Sequence, residues 1–528
     1  MFGSPSFGRF IRLAGRIAGT IAFLLAGGFL SYSLAIGGHI VIGGTEINLR
    51  DPLLMLNKCL GLVLLGLFLW GKGNFIIPIL RCLGTRKGML ALWGGVFFAY
   101  SSMSLIAHYF HSDTVWDYAI FESYMFHIAR YGQAQAFVSG PISMVSDHLF
   151  FVFYPYAVIY GFLGVNAVMV LHKLLLSTAV PFAWLLCREI GHDEKPRGLA
   201  ALTAALAPTF FRLGVTDLYP EVLIFPLGLA LAWAFHGRKW PLFALFALAM
   251  VLVREDGGFI LGFMGVYFAI HQRNWRWLFL TLLGLGVSFG LMEAQASVAG
   301  YYPAKLTSRY GIRSLFDIAG LLRLLIRALN PVGFVFFMLT VLPFGLPPFL
   351  RVRYLVPAYL SAIPHLASAY FRQAQLRGVN AVFLYPLIFL AFVHGLRKIK
   401  EEHFNLNALL ILSLLFVFGD RWLRHRVNPA YAAAAAKAIS MIPSEKAVVS
   451  TPCLANRLGG RDTLYILPGV RPDIAEYVLL EETDIYYRDS CGKAIEFLRE
   501  KGYREVFSGE GIHLLECPPA LKTPNPLH

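Results

Sequence analysis

Apolar runs separated by short basic stretches fill most of the first 420 residues. Clear cases are "LALWGGVFFAYSSMSLIA" (90–107), "LFALFALAMVLV" (242–253) and "NALLILSLLFVFG" (407–419). Several reach the roughly 20 residues of a bilayer-crossing helix once their flanks are counted. The basic stretches between them fix an orientation. They are Arg9/Arg12/Arg16, Lys72/Arg81/Arg86/Lys87, Arg188/Lys195/Arg197, Arg238/Lys239, Arg273/Arg276, Arg351/Arg353 and Arg397/Lys398/Lys400. Lys and Arg gather on the cytoplasmic side, so each interval between clusters should hold an even number of spans. This predicts about 13 helices, near 17–38, 53–71, 89–108, 165–187, 198–214, 222–236, 240–253, 257–271, 277–295, 331–349, 354–368, 381–396 and 405–420.

The same frame assigns the loops. Residues 109–164, 215–221, 254–256, 296–330, 369–380 and everything after Asp420 fall on the non-cytoplasmic side, with Met1 inside. The basic, then apolar N-terminus lacks a small-x-small cleavage site and reads as an uncleaved first span. From about Asn428 the pattern changes. "YAAAAAKAIS" predicts a helix, "KAVVST", "TLYILP" and "IAEYVLLE" predict strands, and "GKAIEFLREKGYREVFSGEGIHLLEC" predicts helix, strand, turn, strand. That alternation fits a small α/β unit of roughly 90 residues, large enough for its own core.

Composition agrees with a multipass membrane protein: 57% of the residues are hydrophobic and only 15% charged, where soluble domains average about a quarter. The net charge of +15 follows from basic cytoplasmic loops, and no nucleic-acid-binding motif is present. The six cysteines are scattered without a CxxC or His/Cys cluster, which argues against structural zinc.

Candidate chemistry gathers on the outward face. The first loop supplies Asp113, Asp117 and Glu122, then Asp147 and His148; the next supplies Arg212, Asp217 and Glu221. Arg254, Glu255 and Asp256 stand in "LVREDGG" at a span end, followed by Lys305, Arg309 and Arg313 and by Arg372 and Arg377. Trp116 to Arg130 has helical periodicity on two apolar faces and is expected to lie as an amphipathic helix on the membrane surface. Asp113 suits its N-cap, Asp117 falls one turn on, and Glu122 lies on a neighbouring face. Carboxylates beside Arg and His suit a lipid-linked phosphate donor: a carboxylate takes the proton of an attacking hydroxyl while cations stabilise the departing phosphate. The planar fork of Arg is apt for phosphate oxygens.

The order "DYAIFESYMFHIARYG", "DHLFFVFYPYAVIYGFLG", "DLYPEVLIFPLGLALAW", "VREDGGF" resembles a prokaryotic multipass family known only as a domain of unknown function and grouped with the GT-C glycosyltransferases. Asp117 and Glu122 match its first two acids, Gly132 its glycine, His148 its histidine, and Arg254-Glu255-Asp256 its third motif. The tail segment "MIPSEKAVVSTPCLANRLGGRDTLYILP" is also similar. Ala119, Ser123 and Val379-Asn380 depart from the pattern. The resemblance implies an all-α polytopic, GT-C-like membrane protein with a small extracytoplasmic α/β unit. It divides the chain into two extra N-terminal helices (1–88), a transmembrane core (89–427) with first outer loop 109–164, and the tail unit (428–528).

It further implies an inverting transfer of sugar from a polyprenyl-phosphate donor to a lipid, glycan or protein acceptor outside the plasma (inner) membrane. Asp117 would be the base, assisted by Asp113 or Glu122; His148, Arg254, Glu255 and Asp256 would bind substrate, and the outward position of Glu221, Arg372 and Arg377 adds them as expected substrate contacts, the two arginines as phosphate clamps. A divalent metal ion is the one candidate cofactor; membrane lipids are the other expected partners, and nucleic acid is not. The alternatives are a transporter or lipid flippase, and a non-catalytic assembly protein. The missing internal repeat and the position of the acids at span ends weigh against transport.

The basic clusters generate a topological expectation. Cysteine labelling in intact cells, or reporter fusions after Asp420, should place residues 430–528 outside and Met1 inside. A cytoplasmic tail would break the even-span count.

Overall fold

The computed structural model describes residue 20 and residues 39–42, 45–48, 52–69, 74–109, 116–137, 141–215, 218–299, 318–329, 331–368, 379–418, 429–467, 469–482 and 488–518. The chain is mostly helical. Among the described residues, three helices are long and apolar enough to cross a membrane: Arg86–Tyr109, Phe153–Glu189 and Trp275–Gln295. A fourth arises if Glu194–Leu206 and Pro208–Val215, bent by 55°, form one broken span. Shorter apolar helices of 10–17 residues include Pro220–His236, Trp240–Val253, Gly257–Gln272 and Tyr385–Leu396. Among the described residues, helix length and apolarity thus support three or four spans and do not confirm the expected count of about 13. Trp240–Val253 has 14 residues and rises only about 21 Å, short of the roughly 30 Å hydrocarbon layer.

The helical core forms around Tyr385–Leu396, whose sequence "YPLIFLAFVHGL" is apolar on every side and buried at all its positions. Phe225 meets the Tyr385 and Phe389 rings edge-on, both at 5.8 Å between centroids. This core also draws on Glu194–Leu206, Ile224–His236 and Gly257–Gln272.

The first outer loop differs from expectation. Helix begins at Phe153, well before the expected 165, and continues to Ser177 with a break at Gly164, where φ is 76°. Glycine tolerates that left-handed value without a Cβ clash. The Trp116–Tyr131 helix forms as the periodicity predicts, but it is covered by protein. Tyr118, Phe121, Tyr124 and Met125 are buried in a core that also contains Phe153, Tyr156 and tail residues such as Leu454, Leu464 and Leu479.

Those tail residues belong to a five-stranded mixed sheet. Its order is Leu464–Ile466, Val448–Ser450, Tyr477–Glu481, Ile512–Glu516, Arg504–Gly509. The first three strands are parallel and the last three antiparallel. Successive side chains of a strand point to opposite faces, and here each face has its own core. Val449, Tyr465, Val478, Leu480 and Leu515 pack with Cys491, Ile495 and Leu498 of the Arg488–Glu500 helix. Val448, Leu464, Ile466, Leu479 and Leu514 pack with the first-loop residues instead. The sheet therefore completes its second core with chain from more than 300 residues upstream.

This sharing has a direct consequence. Residues 429–528 expressed alone should leave Val448, Leu464, Ile466 and Leu479 partly uncovered, aggregate, and bind hydrophobic dyes. A soluble monomeric fragment with a cooperative thermal transition would show that the tail closes its own core.

Candidate functional site

Four separate segments bring ionisable side chains to one place. Arg254 and Glu255 follow the Trp240–Val253 helix, and Asp256 precedes Gly257–Gln272. Glu221 stands in the short 3-10 turn Pro220–Leu223 that leads into Ile224–His236. His148 ends the one-turn helix Met144–Asp147 in extended conformation. Asp117 lies in the first turn of Trp116–Tyr131.

Arg254 is the hub. Its guanidinium approaches Glu221 Oε1 at 3.6 Å, Glu255 Oε1 at 3.6 Å and Asp256 Oδ2 at 3.5 Å. It also lies 3.2 Å from His148 Nε2 and over the rings of Phe150 and Phe383, each 5.8 Å away. Glu255 clamps the loop: Oε1 pairs with His148 Nδ1 at 2.6 Å, and Oε2 accepts from the Leu149 N–H at 2.9 Å. Burial opposes ionisation of Glu255, yet adjacent His148, then Arg254, hold its carboxyl below the usual carboxylate range. Glu221 goes the other way. Burial pushes it up to about 7; Arg254 opposes the rise, while Asp117 and Asp256 add to it. Asp117 is only half-buried, and Tyr219 Oη reaches its Oδ2 at 3.5 Å.

Asp117, His148, Glu221, Arg254, Glu255 and Asp256 therefore converge. Glu122 does not join them. It is buried on another face of the helix, against the tail: Tyr160 Oη donates to Oε1 at 3.4 Å, and a Cβ on Gly459 would sit 2.7 Å from the Glu122 Cβ. Helical geometry explains the split, because positions five apart point about 140° from each other. Asp113, Arg372 and Arg377 lie outside the described residues, as do Asp217, Lys305, Arg309 and Arg313. Sequence reasoning missed Tyr219, whose only signal was its place in "DLYPE", and the Leu149 N–H, which carries none. It also missed the role of the tail as the surface against Glu122.

The Glu122 environment carries a sign that can be measured. Burial raises its carboxyl from the ordinary 4.5 to about 7, partly offset by Arg457 and the Tyr160 hydroxyl. Its folded value exceeds its unfolded one, so this stability is fully present below about pH 4.5 and lost as pH rises through about 7. Relative to Glu122→Gln, wild type should lose up to about 3 kcal/mol across that window. Thermal melting of both proteins between pH 4.5 and 8 should show a gap widening in favour of Glu122→Gln. A gap independent of pH would contradict the buried acid.

Comparison with known families fits a membrane-embedded chain. Residues 108–513 match the model of a family described as "Predicted membrane protein (DUF2079)", whose function is unknown. The match begins at the end of the Arg86–Tyr109 helix and ends in the last strand of the tail sheet, so it takes in both the acidic cluster and the unit that covers the first loop. No curated protein matches the chain. With most of its length inside that match, the chain belongs to the DUF2079 family of predicted membrane proteins.

Proposed function

We propose that the protein is a membrane glycosyltransferase of the GT-C type, working at the outer face of the plasma membrane with about 13 spans, a cytoplasmic N-terminus and an outer tail. The observation that carries this reading is the half-buried Asp117 carboxylate beside a cluster in which Glu221 and Glu255 are buried and His148, Arg254 and Asp256 are half-buried. All these groups lie at helix ends or in turns, where a lipid-linked substrate would present its headgroup.

The reaction divides into parts that match these residues. Asp117 accepts the proton of an acceptor hydroxyl. The acceptor oxygen then attacks the sugar's anomeric carbon from the face opposite the phosphate, the carbon–oxygen bond to phosphate breaks, and polyprenyl phosphate leaves with its electron pair. Configuration inverts. Glu255 is a positioning residue, since both its oxygens are engaged by His148 and the Leu149 N–H. Arg254 supplies positive charge, but three carboxylates share it. Additional charge for the phosphate would come from Arg372 and Arg377, with His148 and Glu221 contacting the substrate.

Mass spectrometry of envelope glycans and glycolipids from a deletion strain identifies the missing sugar, and the matching polyprenyl-phosphate sugar then serves as donor. Asp117→Asn keeps the shape and removes the basicity. It should lower transfer by about 10²–10⁴-fold while the purified protein melts like wild type. Full activity in Asp117→Asn would overturn the base assignment; an unchanged glycan and glycolipid profile in the deletion strain would overturn the transferase reading itself.

A further inference from the structure

A second group of side chains stands at the opposite helix ends, roughly 20 Å from the acidic cluster by helix rise. His236 closes Ile224–His236, His271 lies in the last turn of Gly257–Gln272, and His394 in the last turn of Tyr385–Leu396. In sequence they recur in one context, "FHGRK", "IHQRN" and "VHGLRK", each just before a basic span end. One ring nitrogen from each histidine lies within 4.8 Å of the other two. Tyr267 Oη is 2.9 Å from His236 Nε2 and 2.7 Å from His394 Nε2. Tyr354 Oη is 3.3 Å from His271 Nδ1, and its ring stacks on His394 at 4.3 Å. His394 is buried, whereas His236 and His271 are half-buried.

We propose that His236, His271 and His394 bind a divalent transition-metal ion of the zinc class, with Tyr267 Oη beside it. Three imidazoles select zinc, copper, nickel or iron over magnesium and calcium, which demand oxygen ligands. In a tetrahedral zinc site, bonds of about 2.0–2.1 Å set neighbouring ligand atoms about 3.3 Å apart. The two Tyr267 contacts already fall near that separation. The widest nitrogen pair, at up to 4.8 Å, must close by about 1.5 Å, a shift within reach of the half-buried His236 and His271 side chains. The ligands come from three different helices, so the ion would tie those helix ends together. Arg353 donates to Tyr354 Oη at 2.9 Å, which holds the hydroxyl that meets His271 in place. A hydrogen-bonded His–Tyr relay uses the same contacts but takes up no metal, and that difference decides between them.

The site is independent of the glycosyltransferase reading, and its test reads metal rather than transfer. Full-length protein without a polyhistidine tag is purified in detergent, stripped with a chelator and titrated with Zn²⁺. Wild type should retain one equivalent and melt at a higher temperature with the ion, and Co²⁺ should give the absorption of a tetrahedral site. His271→Ala should lose more than the roughly 10–100-fold in affinity that removing an outer-shell partner costs. His236→Gln, which keeps the side chain's size, should behave alike if His271→Ala folds poorly. His403→Ala, at an exposed histidine on another helix, should bind as wild type does. Zn²⁺ uptake that is absent from wild type, or equal in wild type, His271→Ala and His236→Gln, would overturn the proposal.

Discussion

Arg254 is the charge around which the acidic cluster is organised. Its side chain is only 12% exposed, and a guanidinium at that depth is tolerated only when carboxylates surround it. Glu221, Glu255 and Asp256 do so from two helix ends and a 3-10 turn. The arrangement fixes more than charge. Because Glu255 also holds His148 and the Leu149 N–H, the loop after Met144–Asp147 is tied to the junction between Trp240–Val253 and Gly257–Gln272. Removing Arg254 would leave these carboxylates without their shared cation, so the groups hold each other in one geometry, with the half-buried Asp117 beside them.

The Trp116–Tyr131 helix joins two otherwise separate parts of the molecule. One face aims Asp117 at Tyr219 and the acidic cluster. Another packs Glu122 and His127 on the tail segment near Gly459 and Asp462, with His127 Nε2 3.2 Å from the Asp462 carbonyl. The sheet's second apolar core includes the same helix. A shift of the tail sheet would therefore move the helix that carries Asp117, so the tail acts on the site through packing, and among the described residues it supplies no group to it.

The two ends of the helical core differ in chemistry. One end concentrates carboxylates around a single guanidinium; the other concentrates imidazoles and phenols around no carboxylate among the contacts described. The helices Ile224–His236 and Gly257–Gln272 connect them, each with an acidic approach at its N-terminal side and a histidine in its last turn. Both helices have a residue with left-handed φ close behind, Arg238 at 53° and Arg273 at 52°, so each ends at or one residue past its histidine.

Periodicity alone determined that the chain is helical and apolar, that residues 116–130 form a helix, and that the tail switches to strands, because these depend on side-chain spacing over a few turns. Order and spacing of motifs also marked Asp117, His148, Glu221 and Arg254-Glu255-Asp256, since each stands at a helix end where the apolar pattern stops. Tertiary structure decided which of them meet. Glu122, adjacent to Asp117 in the motif, faces the tail because a helix turns 100° per residue and the tail sheet needed a second apolar surface. The surface-lying reading of residues 116–131 failed for the same reason: an apolar face looks alike whether lipid or a sheet covers it, and only the packed chain distinguishes them. The number of spans was likewise beyond local pattern, because apolar content marks a segment without fixing how long its helix becomes. The histidine group at the other end left a repeated trace in the sequence, but only the fold brings residues 236, 271 and 394 within reach of one ion.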